Sequence, residues 1–405
     1  MSTTVPTASG LRQDARLIGL VSVAHGMSHF SQLLLAPLFP WLKTAFGVSY
    51  AELGFLLTIF FVVSCSVQAA SGFWVDRYGP RPVLFTGLGL LVLAALGFAS
   101  SRSYAMLAMF SVLAGLGNGV FHPVDYTLLN RKVAKPRLGH AYSVHGVSGS
   151  LGWALAPALL VPLTMAFSWR VALLVAAALV ASVWVLLWVK RDALELAPLA
   201  PVARQSGDGS FDFLTIPAVW MCFAFFFFNA GALSVVQSFA TESARQLHAV
   251  PASLAAICLS VYMVGSAGGM LIGGFLASNA ERCERVVGAA FGAAAIVALA
   301  IGFADVPGWA VPVMFGAMGV ASGIAGPSRD LLVKRSSPDN ATGRVYGVVY
   351  AGLDIGQAVV PLFVGALMDH HQYRGVWLAL ALLQGVLIVS AFNVRRVRRT
   401  VLAPA

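Results

Sequence analysis

Twelve apolar runs leave this chain few folds to choose from. They cover 15–42, 51–75, 82–101, 104–129, 139–166, 170–190, 213–240, 251–278, 284–304, 308–333, 343–368 and 375–394. A hydrocarbon core of about 30 Å needs roughly 20 helical residues to cross it. The runs are continuous rather than alternating, which predicts helices and not barrel strands. The chain is 59% hydrophobic and 10% charged, against roughly a quarter charged in soluble domains. Its mean hydropathy is +0.82, and a soluble chain of this length has too much surface to hide so much apolar area. The expected fold is an all-α membrane protein with twelve transmembrane helices.

The runs are also repeated. A shift of 204 positions places Gly115 on Gly319, Gly119 on Gly323, Pro123 on Pro327, Arg131 on Arg335, Gly139 on Gly343, Gly152 on Gly356 and Pro157 on Pro361. No gap is needed, so two halves share one plan. The polar stretch 191–212 separates them and reads as a linker. The expected organisation is a six-helix bundle at 1–190, a cytoplasmic linker at 191–212 and a second six-helix bundle at 213–405. Six spans separate matching positions, so the halves have the same orientation, a parallel repeat of the kind that transporters rock around a central site.

Charge sets the expected orientation. Of 26 Lys and Arg, 20 fall on the side of the termini, Lys43, Arg102, Arg170, Arg245 and Arg374 fall on the other, and Arg329 lies within a run. The positive-inside rule then makes both termini cytoplasmic, in a cell's inner membrane. The net charge of +10 sits in short loops, so it orients spans and implies no nucleic-acid partner. Cys65, Cys222, Cys258 and Cys283 lack ligand-like or disulfide-like spacing and read as small hydrophobes. Residues 1–14 hold no apolar core, so no cleaved leader is expected. No cofactor is expected. The expected partners are a small-molecule substrate, protons and the lipid bilayer, and the chain is expected to be monomeric.

Directly after the second run stands Gly72-Phe-Trp-Val-Asp76-Arg77-Tyr-Gly79-Pro-Arg81. It resembles the G-x-x-x-D-R-x-G-x-R signature of the major facilitator superfamily, in the loop where that family carries it. The resemblance implies two pseudo-symmetric six-helix bundles and a gating role for Asp76, with Arg77 and Arg81, near the start of run eleven. In the second half the equivalent stretch, Gly274 to Ser278, has no acid. Asn118-Gly-Val-Phe-His122-Pro123 and Gly139-His-Ala-Tyr-Ser-Val-His145-Gly146 resemble the fosmidomycin-resistance-type branch, which implies proton-driven export of drugs or small metabolites. The arginine that many proton antiporters carry in run four is absent here, and the glycines of run five stand in a different order from that family's.

Polar groups inside spans are costly and are functional candidates. His25, His29 and Gln32 lie within about 60° of one another on a helix, near mid-membrane. Asn118, His122 and Asp125 share a face of run four, and His145 in run five lies at a similar level. The first-half Asp125 corresponds to Arg329 of the second, and Tyr126 to Asp330, so Asp125 and Arg329 could form a breakable ion pair between halves. Pairing of Arg329 with Asp330 or backbone carbonyls is the alternative. Asp354, with Tyr350 and Gln357 on its face of run eleven, is the foremost candidate to carry a proton, with His29, Asp125 and His145 beside it. An acid at that depth loads and releases protons as its surroundings change between water and apolar protein. Glu52 reads as a helix-start acid.

These features predict a secondary transporter working by alternating access, driven by protons and exporting a small organic solute, drug or metabolite, that can be anionic. His25, His29, Gln32, Asn118, His122, Tyr350 and Gln357 are the expected substrate contacts. Two alternatives share the architecture: proton-symport uptake of an organic anion, and transition-metal transport through the histidines. The absence of a phosphate-binding Gly-rich loop argues against ATP-driven pumping. No nucleophile–base spacing marks an enzyme, and no metal site is assigned.

Overall fold

A computed structural model describes residues 8–134, 137–196, 217–276, 283–336 and 342–402. Twelve long helical segments follow one another: α1 Ala8–Gln32, α2 Tyr50–Tyr78, α3 Pro80–Ser100, α4 Tyr104–Lys132, α5 Leu138–Ala166, α6 Trp169–Val189, α7 Pro217–Val235, α8 Ala252–Leu276, α9 Cys283–Phe303, α10 Val311–Ser336, α11 Thr342–Asp369 and α12 Tyr373–Leu402. The fold is the all-α, twelve-helix arrangement of two like bundles that the apolar runs imply. Eleven of the twelve are long and apolar enough to cross a membrane. The other, α1, is diluted by polar residues, and these turn inward: Ser22, His25, Ser28, Ser31 and Gln32 are all buried. Its polar face meets protein rather than lipid, as a hydrocarbon surround demands.

Several boundaries differ from the runs. The run 15–42 is not one helix, because α1 stops at Gln32 and the chain turns through a 3-10 turn, Ala36–Leu38, into a short helix, Phe39–Phe46. Pro37 and Pro40 sit in the first turns of these two elements, where a missing N–H does no harm; neither could sit in the interior of a longer helix without breaking a bond. Run four divides into Tyr104–Asn118 and Phe121–Lys132. The segment α7 continues through a π-helical turn, Val236–Ala240, into Thr241–His248. The last helix extends past 394 to Leu402. Glu52 and Ser49 form a reciprocal capping box at the start of α2, as a helix-start acid should.

The stretch after α6 is more ordered than a linker needs to be. A 3-10 turn, Arg191–Leu194, buries Leu194 completely. Lys132 Nζ donates to the carbonyls of Ala193 and Glu195, both at 2.8 Å, and Arg81 pairs with Glu195. These residues pack against the first bundle. The rest of the expected linker, from 197 onward, lies outside the described residues.

The repeat has a packing cause. A side chain at Gly115 or Gly119 would collide with α2 at Phe60 and Ser64, and one at Gly319 or Gly323 with α8 at Tyr262 and Ser266. Each half therefore seats its fourth helix on its second by backbone contact, the close approach that small residues permit.

Two seams join the halves, α2 against α11 and α5 against α8, and the repeat relates one to the other. At the end away from the termini, Asp369 accepts from the backbone N–H of Tyr50 (2.8 Å) and Ala51 (2.9 Å) and from Lys43 (3.2 Å). A carboxylate from α11 thus caps the positive end of α2. Further along this seam Thr58 donates to the carbonyl of Ala358. Across the other, Ser260 donates to the carbonyl of Ala154 at 2.9 Å.

Two outcomes test this packing. Gly323→Ala should lower stability in detergent by about 1–3 kcal/mol, the usual cost of overpacking. Gly268→Ala, where the added methyl meets nothing within 4 Å, should be neutral or stabilise by roughly 0.5–1 kcal/mol. Thermal unfolding followed by circular dichroism would separate them, and equal losses would disprove the backbone contact at Gly323.

Candidate functional site

Close packing of α5 on α1 builds the site. Gly152 lies against the backbone of Gly26, and Gly149 lies under two histidine rings: a Cβ there would stand 2.9 Å from His29 and 3.1 Å from His25. The i,i+4 pair on α1 therefore rests on the α5 backbone, and α4 brings further histidine and acid from the other side.

Asp125, fully buried, is the hub. Its Oδ2 lies 3.1 Å from His25 Nδ1 and 3.1 Å from His145 Nε2. An ionised carboxylate only accepts, so both nitrogens then donate N–H to the same oxygen. The two rings stack, with centroids 3.5 Å apart and planes inclined by 24°. His29 lies 4.4 Å from His25 and His122 lies 5.4 Å from it, centroid to centroid. Four histidines from α1, α4 and α5 thus surround one acid. Oδ1 of Asp125 and both ring nitrogens of His29 are buried without a hydrogen-bond partner among the described residues.

A neutral network covers one side of this cluster. Asn118 Oδ1 accepts from Ser28 (3.0 Å) and Gln32 (3.3 Å), and its Nδ2 donates to Ser64 at 2.8 Å. Trp153 Nε1 donates to Gln32 Oε1 at 2.9 Å, and its ring packs 4.2 Å from His29.

A third group crosses between halves. His122 Nδ1 lies 2.8 Å from Gln68 Oε1, and Gln68 Nε2 donates a long bond of 3.4 Å to Asp354 Oδ2. The Cys65 thiol lies beside Asp354. Asp354 of α11 is thereby linked through one amide of α2 to the histidines of the first half.

The structure brings His25, His29, Gln32, Asn118, His122, Asp125 and His145 into one body, with Asp354 at its edge. Gln357 is buried on α11. The described partners of Asp125 are the two histidines of its own half; the side chains of Arg329, Asp330 and Tyr350 lie outside the described residues, as does that of Asp76. Arg77 is exposed and lies over the Tyr78 ring. Arg81 pairs with Glu195, which the 191–194 turn brings to the start of α3.

Sequence reasoning passed over Gln68, Ser64, Ser28, Cys65 and Trp153. Ser64 and Gln68 are one helical turn apart and share a face of the second run, a signal present in the spacing. Nothing in the spacing pointed to Trp153.

The donor atoms of His25, His29 and His122 lie within 4.8 Å of one another, as do those of His25, Asp125 and His145. A tetrahedral ion with bonds of about 2.0–2.1 Å needs its donors roughly 3.4 Å apart. To close on an ion, the second set would have to give up both bonds to Asp125. That second set is held as a hydrogen-bonded cluster.

Paired helical bundles around a buried polar body define a multi-pass membrane protein of doubled plan. The profile of the Major Facilitator Superfamily matches residues 21–315 and again 219–405, and the chain belongs to that family; it is not an enzyme. It is 29% identical over 154 residues to the fosmidomycin resistance protein of Escherichia coli (strain K12), an alignment covering 36% of each chain. It is 26% identical over 203 residues to a multidrug resistance protein B homolog of Mycobacterium tuberculosis, 49% of this chain and 35% of that one. The chain thus spans about a third of the length of these curated relatives. A bacterial homologue of the human lysosomal transporter Spinster, solved in an inward-facing, occupied conformation, superposes with a TM-score of 0.76 at 14% identity, over 94% of this chain and 97% of that one.

The hub makes a graded prediction. Asp125→Ala leaves two buried histidine N–H groups without an acceptor and should cost about 3–5 kcal/mol, as breaking a buried pair does. Asp125→Asn keeps one acceptor oxygen and should cost clearly less. Unfolding in detergent would read both, and similar losses would mean that shape rather than hydrogen bonding matters at this position.

Proposed function

We propose that this protein is a proton-coupled secondary transporter that exports a small organic solute by alternating access. The observation that carries the reading is the chain His122–Gln68–Asp354, which joins a titratable group of the second half to the histidine–Asp125 cluster of the first. The names of two relatives, a fosmidomycin resistance protein and a multidrug resistance protein homolog, support export and a drug or metabolite as cargo. The charge asymmetry of the loops supports a cytoplasmic-membrane location with both termini inside.

The coupling step assigns Asp354 the proton. While its carboxylate is ionised, it accepts a charge-assisted bond from the Gln68 amide, about twice as strong as a neutral one. That bond turns Gln68 Oε1 toward His122 and selects the tautomer with a proton on Nδ1. When Asp354 takes up a proton, the bond across the α2–α11 seam weakens, and Gln68 is free to release His122. Protonation at one half is thereby read as a rearranged hydrogen bond in the other. His25, His145 and Asp125 act together, because a proton gained by either ring strengthens its hold on the shared oxygen. His29, with both nitrogens unpartnered, is the group left to meet a solute or a proton entering the cluster, and Gln32, Asn118 and Gln357 offer neutral contacts nearby. In this reading Asp76 and Arg77 serve the gate at the end that carries the termini.

Proteoliposomes with an imposed pH gradient test the reading, with fosmidomycin, a panel of organic acids and divalent metals as probes. Wild type should move an organic probe against the gradient-free control. Asp354→Asn should lose at least tenfold of the gradient-driven flux and keep gradient-free counterflow. Gln68→Leu, which leaves every titratable group in place, should lose coupling in the same way. Unchanged gradient-driven flux in Asp354→Asn would overturn the assignment of the proton, and metal flux alone, abolished by His29→Ala, would replace the organic cargo with a transition metal.

A further inference from the structure

We propose a second binding site, in a cavity between the halves at the end away from the termini, that takes a neutral, planar aromatic molecule bearing an amide-like carbonyl. The cavity has a volume of about 520 Å³, within the roughly 300–1,000 Å³ typical of small-molecule sites. Its walls come from the chain after α1, the far end of α5, the π-helical turn that follows α7 and the start of α8. The site is distinct from the histidine cluster. Pro157 of α5 lines the cavity one helical turn beyond Trp153, about 6 Å along the axis, and the Trp153–Gln32 pair stands between the two.

Three observations give the ligand its chemistry. The lining is largely apolar and includes Trp41, Trp169, Met165 and Leu259. Aromatic walls of this kind favour planar apolar bodies. Two polar groups of the wall lack partners among the described residues: Gln237 Nε2 and Thr241 Oγ1 are buried with no hydrogen bond. They stand at i,i+4 across the π turn Val236–Ala240, a distortion that re-aims side chains and recurs at functional sites. Rotation of the Gln237 amide brings its N–H to the cavity, where a ligand carbonyl would satisfy a donor that the protein leaves unpaired. The charges of the lining are already spent on each other. Arg245 makes two bonds of 2.8 Å to Glu242, and Gln246 adds a third at 2.7 Å. An ion-paired rim offers no counter-charge to an anion or a cation, so the matching ligand is neutral.

Binding in detergent, with no proton gradient, tests this site apart from transport and apart from the coupling scheme. The probe is tritiated N-(1-naphthyl)acetamide, a neutral aromatic amide, beside 1-naphthylacetate as the anion and 1-naphthylmethylammonium as the cation. The amide should bind, and both ions should bind at least tenfold more weakly. Gln237→Leu should weaken the amide roughly tenfold, the value of one well-placed hydrogen bond. Ala256→Trp, which fills the cavity from α8, should abolish binding, while His29→Ala should leave it unchanged. Size-exclusion profiles matching wild type would show that each variant is folded. Amide binding that survives both Gln237→Leu and Ala256→Trp, or that falls with His29→Ala, would overturn the site. Equal or tighter binding of either ion would overturn its neutral character.

Discussion

A carboxylate placed deep in a lipid-facing bundle has to be held by other protein groups, and here Asp125 is held by His25 and His145. One oxygen receives both rings, so α1, α4 and α5 are tied at a single atom. The rest of the polar body depends on this tie. It presses His25 and His145 into a stack, which crowds His29 onto Trp153 and leaves its nitrogens without partners. It also sets the level at which His122 meets Gln68. Moving water into such a cluster, or a charge out of it, alters the contacts of three helices together.

That arrangement is possible because glycines let helices touch. Gly149 and Gly152 bring the α5 backbone against α1, and the paired glycines of α4 and α10 seat each fourth helix on its second. Without a hydrophobic force between helices in lipid, close packing and interhelical hydrogen bonds must supply the adhesion. The two halves use the same solution, and the seams α2–α11 and α5–α8 follow from it. The α2–α11 seam runs from the Asp369 cap at residues 50–51 to the Asp354–Gln68 bond. That is about 27 Å of helix at 1.5 Å per residue, enough to couple one end of the protein with its middle.

The seam and the cavity divide the work of the interface. Polar bonds close the α2–α11 side at the end away from the termini, while an apolar cavity lies beside α5 and α8 at the same end. Along α5 the histidine cluster is followed by Trp153 and then by the cavity wall at Pro157 and Val161. Polarity falls along this helix from the side that meets the buried histidines to an apolar wall.

Much of this was legible in the residues alone. Hydropathy set the number of spans, since the bilayer thickness imposes a length on every apolar run. The 204-residue shift revealed the doubled plan, and the Asp76–Arg81 motif pointed to the family. Helical spacing put His25 with His29, and Asn118 with His122 and Asp125, because a helix fixes its own angular positions. Contacts between helices were not legible, since rotation and tilt are decided by side-chain fit along the whole seam. For that reason helical spacing alone did not pair Asp125 with His25 of α1 and His145 of α5, which the packing brings to it. Gln68 illustrates the same limit. An amide one turn from Ser64 looks ordinary on its own helix, and only the approach of α11 makes it the group between Asp354 and His122. The sequence by itself determined the spans, their repeat and the faces of each helix; the tertiary structure alone decided which faces meet, because packing across the bundle is a property of all twelve helices together.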